Sequence, residues 1–355
     1  RMRVWEENIR KVIPYIPGEQ PKQKDIIKLN TNENPYPPAP GVRKALLRFS
    51  EMDYDWLRKY PDPTSDVLVE SLANYYHLEK DQVFAGVGSD DVLAMAFLTF
   101  FNSQKPILFP DITYSFYDVW ADLFHIPYER QPLDERFQIV PSDYYKKNGG
   151  VIFPNPNAPT GVLMPLDQIE DIIQHNQDVI VIIDEAYIDF GGVSALPLIE
   201  KYDNVLIVQT FSKSRSMAGM RVGYAMGNKT LIKYLNDVKY SFNSYTMNQT
   251  VLAAAPAAIE DEAYFQGTRK KIMETRERVK TELRELGFSF EDSMANFLFV
   301  THEHYWARDI LEALKRSHIY VRYFNQPRID NHLRISIGTD EEMDQLITFL
   351  KTYLK

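Results

Sequence analysis

Five short apolar runs punctuate the middle of the chain, at residues 107–109, 151–153, 179–184, 205–210 and 222–227, and stretches of helical period separate them. Near-continuous apolar runs of this length suit strands covered on both faces, so the alternation predicts an α/β domain with a mostly parallel sheet flanked by helices. Ser65 and Ser89 stand where N-caps are expected, just before VLVESLANYYH and VLAMAFLTFF. The second of these helices is apolar nearly all round and belongs in the interior. From about residue 246 the pattern changes to long amphipathic helices, one of which, at 268–286, stops at Gly287. Two later strands, at 319–322 and 333–337, precede a last helix in which Thr339 and Glu342 have capping-box spacing.

The first forty residues, ending in LNTNENPYPPAP, are rich in Pro and Asn and hold no sustained period, so they read as an extended arm. The predicted organisation is an arm over 1–40 that packs with the C-terminal unit, a large domain over 41–245, and a smaller α/β domain over 246–355. A length of 355 residues suits two domains sharing a boundary.

Composition narrows the chemistry. With no Cys, there is no disulfide, thiol nucleophile or thiolate metal site. A net charge of -9 argues against a nucleic-acid surface, so any anionic ligand has to be met by a local cluster of cations. No apolar run is long enough to span a membrane, and the first residues lack the apolar core of a signal peptide, so the expected location is the cytoplasm.

In open parallel sheets ligands bind beyond the carboxyl ends of the strands. The run at 151 is followed by PNPNAPTG with Asn157, the run at 179 by DEAY with Asp184 and Tyr187, and the run at 205 by TFSK with Lys213. An amine, a carboxylate, a phenol and an amide at neighbouring strand ends meet the needs of pyridoxal phosphate. The amine bonds covalently to the aldehyde, Asp184 keeps the ring nitrogen protonated, and Tyr187 with Asn157 hydrogen-bonds the ring's 3-oxygen. Tyr114, after the run at 107, supplies an aromatic face for the ring. The turn GVGSDD opens a helix N-terminus where Ser89 and Asp90 would hold the phosphate, with Ser212 and Arg221 closing the other side.

The ordered set PYIPGEQ, LNTNENPYPP, KYPDP, GVGSDD, PNPNAPTG, DEAY, TFSKSRSMAGMRVGY and LRISIGT resembles the histidinol-phosphate aminotransferase family, within the fold-type-I aminotransferases, from about residue 14 to 339. The resemblance implies a fold-type-I pyridoxal-phosphate-dependent transferase that moves an amino group from histidinol phosphate to 2-oxoglutarate. It implies that Lys213 carries the covalent link to the cofactor and then the migrating proton. It implies further that Tyr60 reaches the phosphate of a partner subunit in a homodimer, and that Arg334 and Arg322 bind substrate carboxylate and phosphate groups. Tyr15 would line the substrate pocket. The chain departs from the family pattern at Ser214, Arg215 and Ser216, where a small residue, an aromatic and Gly are usual, and at Ala158, where a second Asn is usual.

Plainer readings stand beside these. Lys213 alone would be a solvated lysine, Asp184 a helix cap, Asn157 a turn residue, and Ser212 a partner for nearby backbone. Tyr60 would pack in its own chain, the arginines would form exposed ion pairs, and the alternating His302 and His304 lack an evident third metal ligand. Three other activities remain open on these residues: an aromatic amino acid aminotransferase, a decarboxylase or lyase of a phosphorylated amino acid, and a non-catalytic binding protein with this fold.

Overall fold

The computed structural model describes residues 3–355. In chain order, the arm contains β1 (Ile27–Lys28) and leads to α1 (Pro40–Glu51), α2 (Asp66–Tyr76), β2 (Val83–Gly86) and α3 (Ser89–Phe100). There follow β3 (Ile107–Pro110), α4 (Phe116–Leu123), β4 (Tyr128–Gln131), β5 (Gly150–Pro154), α5 (Leu166–Gln174), β6 (Val181–Asp184), β7 (Val205–Thr210) and β8 (Gly223–Gly227). Then come α6 (Lys229–Phe242), α7 (Gln249–Glu260), α8 (Glu262–Glu285), β9 (Phe288–Ser289), β10 (Phe297–His302) and α9 (Ala307–Arg316). The chain ends with β11 (Ile319–Tyr320), β12 (Arg322–Tyr323), β13 (Leu333–Ser336) and α10 (Asp340–Tyr353).

A seven-stranded sheet in the order β2-β8-β7-β6-β5-β3-β4 forms the larger layer. Strands β3 to β7 pair in parallel with their neighbours, while β8 runs antiparallel to both β7 and β2. The reversal at β8 follows from its connection: residues 211–222 hold only the short 3₁₀ turn Ala218–Met220, where a parallel crossover normally needs a helix. Both faces of the sheet are buried. Val151, Phe153, Val181, Ile183, Val205 and Ile207 point into one core, and Ile152, Ile182, Leu206 and Val208 into the other. That two-sided burial is why these strands read as unbroken apolar runs. Helix α3 is interior, with Val92, Leu93, Ala96 and Phe97 in the second core.

The smaller sheet, β12-β13-β10-β9, is antiparallel and shares a core with α8, α9 and α10 through Ile272, Leu298, Ile310, Leu333 and Leu346. The arm touches both units. Strand β1 pairs in parallel with β11 and Leu29 enters the smaller core, whereas Tyr15 stacks on Phe116 of α4 with ring centroids 4.0 Å apart.

Three expectations change. Helix α7, which the sequence pattern assigns to the smaller unit, buries Val251, Ala254, Ala255 and Ala258 in the larger core with Val42 and Leu68, so the change of core falls near Asp261. Its small-residue face permits a close approach to α1, a property that amphipathic period alone does not reveal. Ser65 does not cap α2: it is left-handed at φ 52, and the Asp62 carboxylate instead accepts from the Asp66 and Thr64 amides, each at 2.9 Å. Ser89 is the first helical residue of α3, with Gly88 at the cap position, which leaves its hydroxyl unused by the helix. The capping box of Thr339 and Glu342 is formed, and Gly287 follows α8 at φ 91. The His302 ring is engaged by the Leu286 carbonyl at 2.9 Å, and no metal-capable cluster occurs among the described residues. No described helix is long and apolar enough to cross a membrane.

Strand β8 reaches the start of α3 only because Gly223 has no side chain; a Cβ there would strike the Gly88 carbonyl carbon and the Ser89 amide nitrogen. Because backbone cannot yield as a side-chain end can, Gly223→Ala should cost about 1–3 kcal/mol in chemical denaturation and weaken cofactor retention. Unchanged stability would show that the α3 entry is more pliable than this packing implies.

Candidate active site

The carboxyl ends of β3, β5, β6 and β7 open onto one cavity of about 1040 Å³, counting its mouth, between the two units. Lys213 lies three residues beyond β7 in a loop whose Ser214 hydroxyl donates to Asp189 at 2.5 Å. Its amine donates to the Thr31 carbonyl of the arm at 3.0 Å and sits 5.7 Å over the Tyr187 ring. Asn34 Nδ2 donates to the Lys213 carbonyl at 3.0 Å, so the arm fixes the lysine at both its backbone and its amine.

Asp184 closes β6 with its carboxylate buried. It accepts from the Tyr117 hydroxyl at 2.7 Å and the Ala186 amide at 3.3 Å, but desolvation outweighs both and raises its pKa to about 6. The adjacent Glu185 faces the opposite side of the sheet and is raised to about 7 by burial, although Ser194, Ala195 and Gln209 donate to it. A cation placed against Asp184 would recover the cost of its burial, and a protonated pyridine nitrogen is such a cation.

At the other end of the cavity, Ser89 and Asp90 begin α3, and Arg221 donates to Ser212 Oγ at 3.3 Å and to the Ala218 carbonyl at 2.9 Å. Arg221 is left-handed at φ 56, and a Cβ at Gly88 would fill the space its guanidinium takes. Free helix amides, two hydroxyls and a guanidinium at this end have the chemistry that suits an anion. The Asp90 side chain is occupied elsewhere: it accepts from the Tyr114 hydroxyl at 2.8 Å, which anchors that ring, and burial raises its pKa. Opposite lie Arg322, which donates to the Ile16 carbonyl at 3.1 Å, and Arg334, which donates to the Asn30 carbonyl at 3.0 Å. Arg334 Nε is buried with no partner, and burial lowers its pKa.

The structure thus gathers Tyr15, Ser89, Asp90, Tyr114, Asp184, Tyr187, Ser212, Lys213, Arg221, Arg322 and Arg334 around one space. Two expected members are not there. Asn157 turns away, its Nδ2 donating to the Ile112 carbonyl at 2.9 Å and its Oδ1 accepting from Thr113 at 2.8 Å, while the next residue, Ala158, lines the cavity. Its Oδ1 and one of its two Nδ2 protons are thereby engaged within the protein, and the side chain does not line the cavity. Tyr60 lies outside the cavity, 79% exposed and stacked on Tyr245 at 4.4 Å. Sequence reading passed over Thr31, Asn32 and Tyr117; the first two stand in the motif LNTNENPYPP, which marked the segment but not their partners.

Comparison with known proteins fixes the class. The family described as Aminotransferase class I and II matches residues 24–350, and the chain belongs to it. It is a pyridoxal-phosphate-dependent transaminase of fold type I. Its relatives include the histidinol-phosphate aminotransferase of Lactococcus lactis subsp. cremoris strain MG1363, 53% identical over 99% of this chain and 98% of that protein. Histidinol-phosphate aminotransferase 1 of Hydrogenovibrio crunogenus is 54% identical over the same shares. Among solved structures, the histidinol-phosphate aminotransferase of Sinorhizobium meliloti, in complex with pyridoxal-5'-phosphate, has the same fold. Its TM-score is 0.83 at 24% identity, covering 92% of this chain and 90% of that one. Membership of a transaminase family removes the reading as a non-catalytic binding protein.

The raised pKa of Asp184 has a measurable sign. In the folded protein without cofactor its carboxyl holds a proton up to about pH 6, while in the unfolded chain it releases it near 3.8. Stability therefore falls as pH rises through that window, by about 3 kcal/mol from this group. Asp184→Asn should remove that part of the slope from the apoprotein's melting profile. An identical slope in the variant would show that Asp184 ionises normally.

Proposed function

We propose that this transaminase takes its amino group from histidinol phosphate and passes it to 2-oxoglutarate, as a cytoplasmic homodimer. The observation that carries the reading is an imbalance of charge. Lys213, Arg221, Arg322 and Arg334 line the cavity without a salt bridge among the described residues, against the carboxylates of Asp90 and Asp184 alone. Cations held without counter-ions, one with a buried unpartnered Nε, call for a ligand bearing more than one anionic group. A phosphorylated cofactor accounts for the Arg221 end, and a phosphorylated amine or a dicarboxylate for the Arg322 and Arg334 end.

The residues present fit pyridoxal phosphate. Ser89, Ser212, Arg221 and the α3 amides would hold its phosphate, Tyr114 its ring face, Asp184 its nitrogen and Tyr187 its 3-oxygen. When bound, the cofactor supplies an electron sink for the bond that breaks. Lys213 would supply the amine that joins the cofactor, and its Nζ would carry the proton at the substrate carbon. Arg322 and Arg334 orient the substrate through its anionic end, and Tyr15, whose phenol is kept protonated by burial, closes the pocket above Phe116.

The dimer is supported by a surface that a lone chain leaves uncovered. Tyr60, Leu57, Phe242 and Tyr245 are exposed on one side, and Ile13 and Ile16 on the arm. Tyr60 then approaches the cofactor phosphate of the second copy.

The substrate assignment is tested by a donor panel. Arg334→Gln and Arg322→Gln should lower kcat/KM for histidinol phosphate by about 10- to 100-fold, and much less for an amine of the same skeleton without the phosphate. Phenylalanine or tyrosine serving as well as histidinol phosphate would replace this reading with an aromatic one.

A further inference from the structure

The hydroxyl of Tyr187 has a single protein partner among the described residues: Asn32 Nδ2 donates to it at 3.0 Å. A phenol whose oxygen already accepts from an amide keeps its own proton for something else, and the remaining open side of Tyr187 is the cavity. Asn32 is itself held. Its Oδ1 accepts from Ser336 Oγ at 2.9 Å, its amide nitrogen donates to the same oxygen at 2.9 Å, and its carbonyl accepts from Asn296 Nδ2 at 2.9 Å. The residue is buried and left-handed at φ 57, a conformation that Asn tolerates and most residues do not.

We infer that Asn32 is a positioning residue for the reaction: the relay from Ser336 through the Asn32 amide to Tyr187 fixes the phenol as a hydrogen-bond donor into the cavity and strengthens that donation. The inference rests on the reading of Tyr187 as the phenol that meets the cofactor's 3-oxygen. Each bond in such a chain polarises the next, so the Tyr187 proton is more strongly donated than that of an isolated phenol. Asn157 gives one of its two Nδ2 protons to the Ile112 carbonyl, and Ala158 offers no side-chain donor on the same wall. The other groups facing Tyr187 do not replace the amide: Lys213 lies over its ring, Phe297 meets it edge-on at 5.0 Å, and Arg334, Tyr15 and Tyr114 act on it only through space.

The consequence is spectroscopic as well as kinetic. Donation to the 3-oxygen would stabilise its anionic form and make the Lys213 Nζ joined to the cofactor less basic, so losing the donation should raise the pH at which the visible band of the bound cofactor changes. The experiment is a pH titration of that band in the holoenzyme for wild type, Asn32→Gly, Tyr187→Phe and the double variant. Glycine accepts the left-handed backbone, so the amide is removed without forcing the chain to move. Asn32→Gly should raise the midpoint by roughly half to one pH unit, Tyr187→Phe by more, and Asn32→Gly should add nothing in the Tyr187→Phe background. An unchanged midpoint in Asn32→Gly overturns the proposal, and so does a shift that survives in the absence of the phenol. If Asn32→Gly does not fold, Ser336→Ala should give a smaller rise of the same sign, and no rise there overturns it equally. A wild-type protein that shows no visible band with added cofactor removes the role of Tyr187 and this proposal with it, an outcome distinct from a normal band that ignores Asn32.

Discussion

Burial of the large sheet on both faces is the constraint from which the rest follows. Strands β3, β5, β6 and β7 run parallel, so each crossover, whether it holds an α-helix or only short 3₁₀ turns as between β6 and β7, returns the chain to the same starting edge, and this delivers their carboxyl ends to one place. Asp184 and Lys213 come together because their strands are neighbours, and Tyr187 because it leaves β6 three residues later. The antiparallel β8 extends the same logic. It turns back beside β7 and brings Arg221 up against the first amides of α3, with Gly88 and Gly223 permitting the approach.

Around that edge the protein holds ionic groups in states they would not choose alone. Asp184 is desolvated to a pKa of about 6, and four cations stand without carboxylate partners. Such a site is costly when empty and relieved when filled by a ligand of complementary charge, which is a physical reason for an acidic protein to bind an anionic cofactor and anionic substrates firmly. The arm completes the arrangement. Asn30, Thr31 and Asn32 meet Arg334, Lys213 and Tyr187 in turn, and Ser336 and Asn296 tie Asn32 to the smaller unit.

What the sequence revealed and what it hid have physical explanations. The parallel strands, Lys213 and Asp184 were legible because two-sided burial leaves an unbroken apolar run and the first polar residues after it fall at the functional edge. Asn157 stands outside the cavity lining because a turn after a strand sets its side chains in directions that composition does not encode; Ala158, one residue on, is the one that faces the cavity. The assignment of α7 failed because an amphipathic period shows that a helix has a buried face without showing which core receives it. Ser65 failed as a cap because Asp62, four residues before Asp66, was better placed to accept the free amides. The Asn32 relay was invisible for a different reason, since its partners lie 155 and 304 residues away along the chain.

The central claim is that Lys213 is the one amine that joins the cofactor. Borohydride reduction of the cofactor-loaded protein, followed by peptide mass mapping, tests it directly, because reduction makes the carbon–nitrogen link permanent. The account predicts a single reduced adduct, on Lys213. An adduct on another lysine, or none on protein that retains the cofactor, would contradict it.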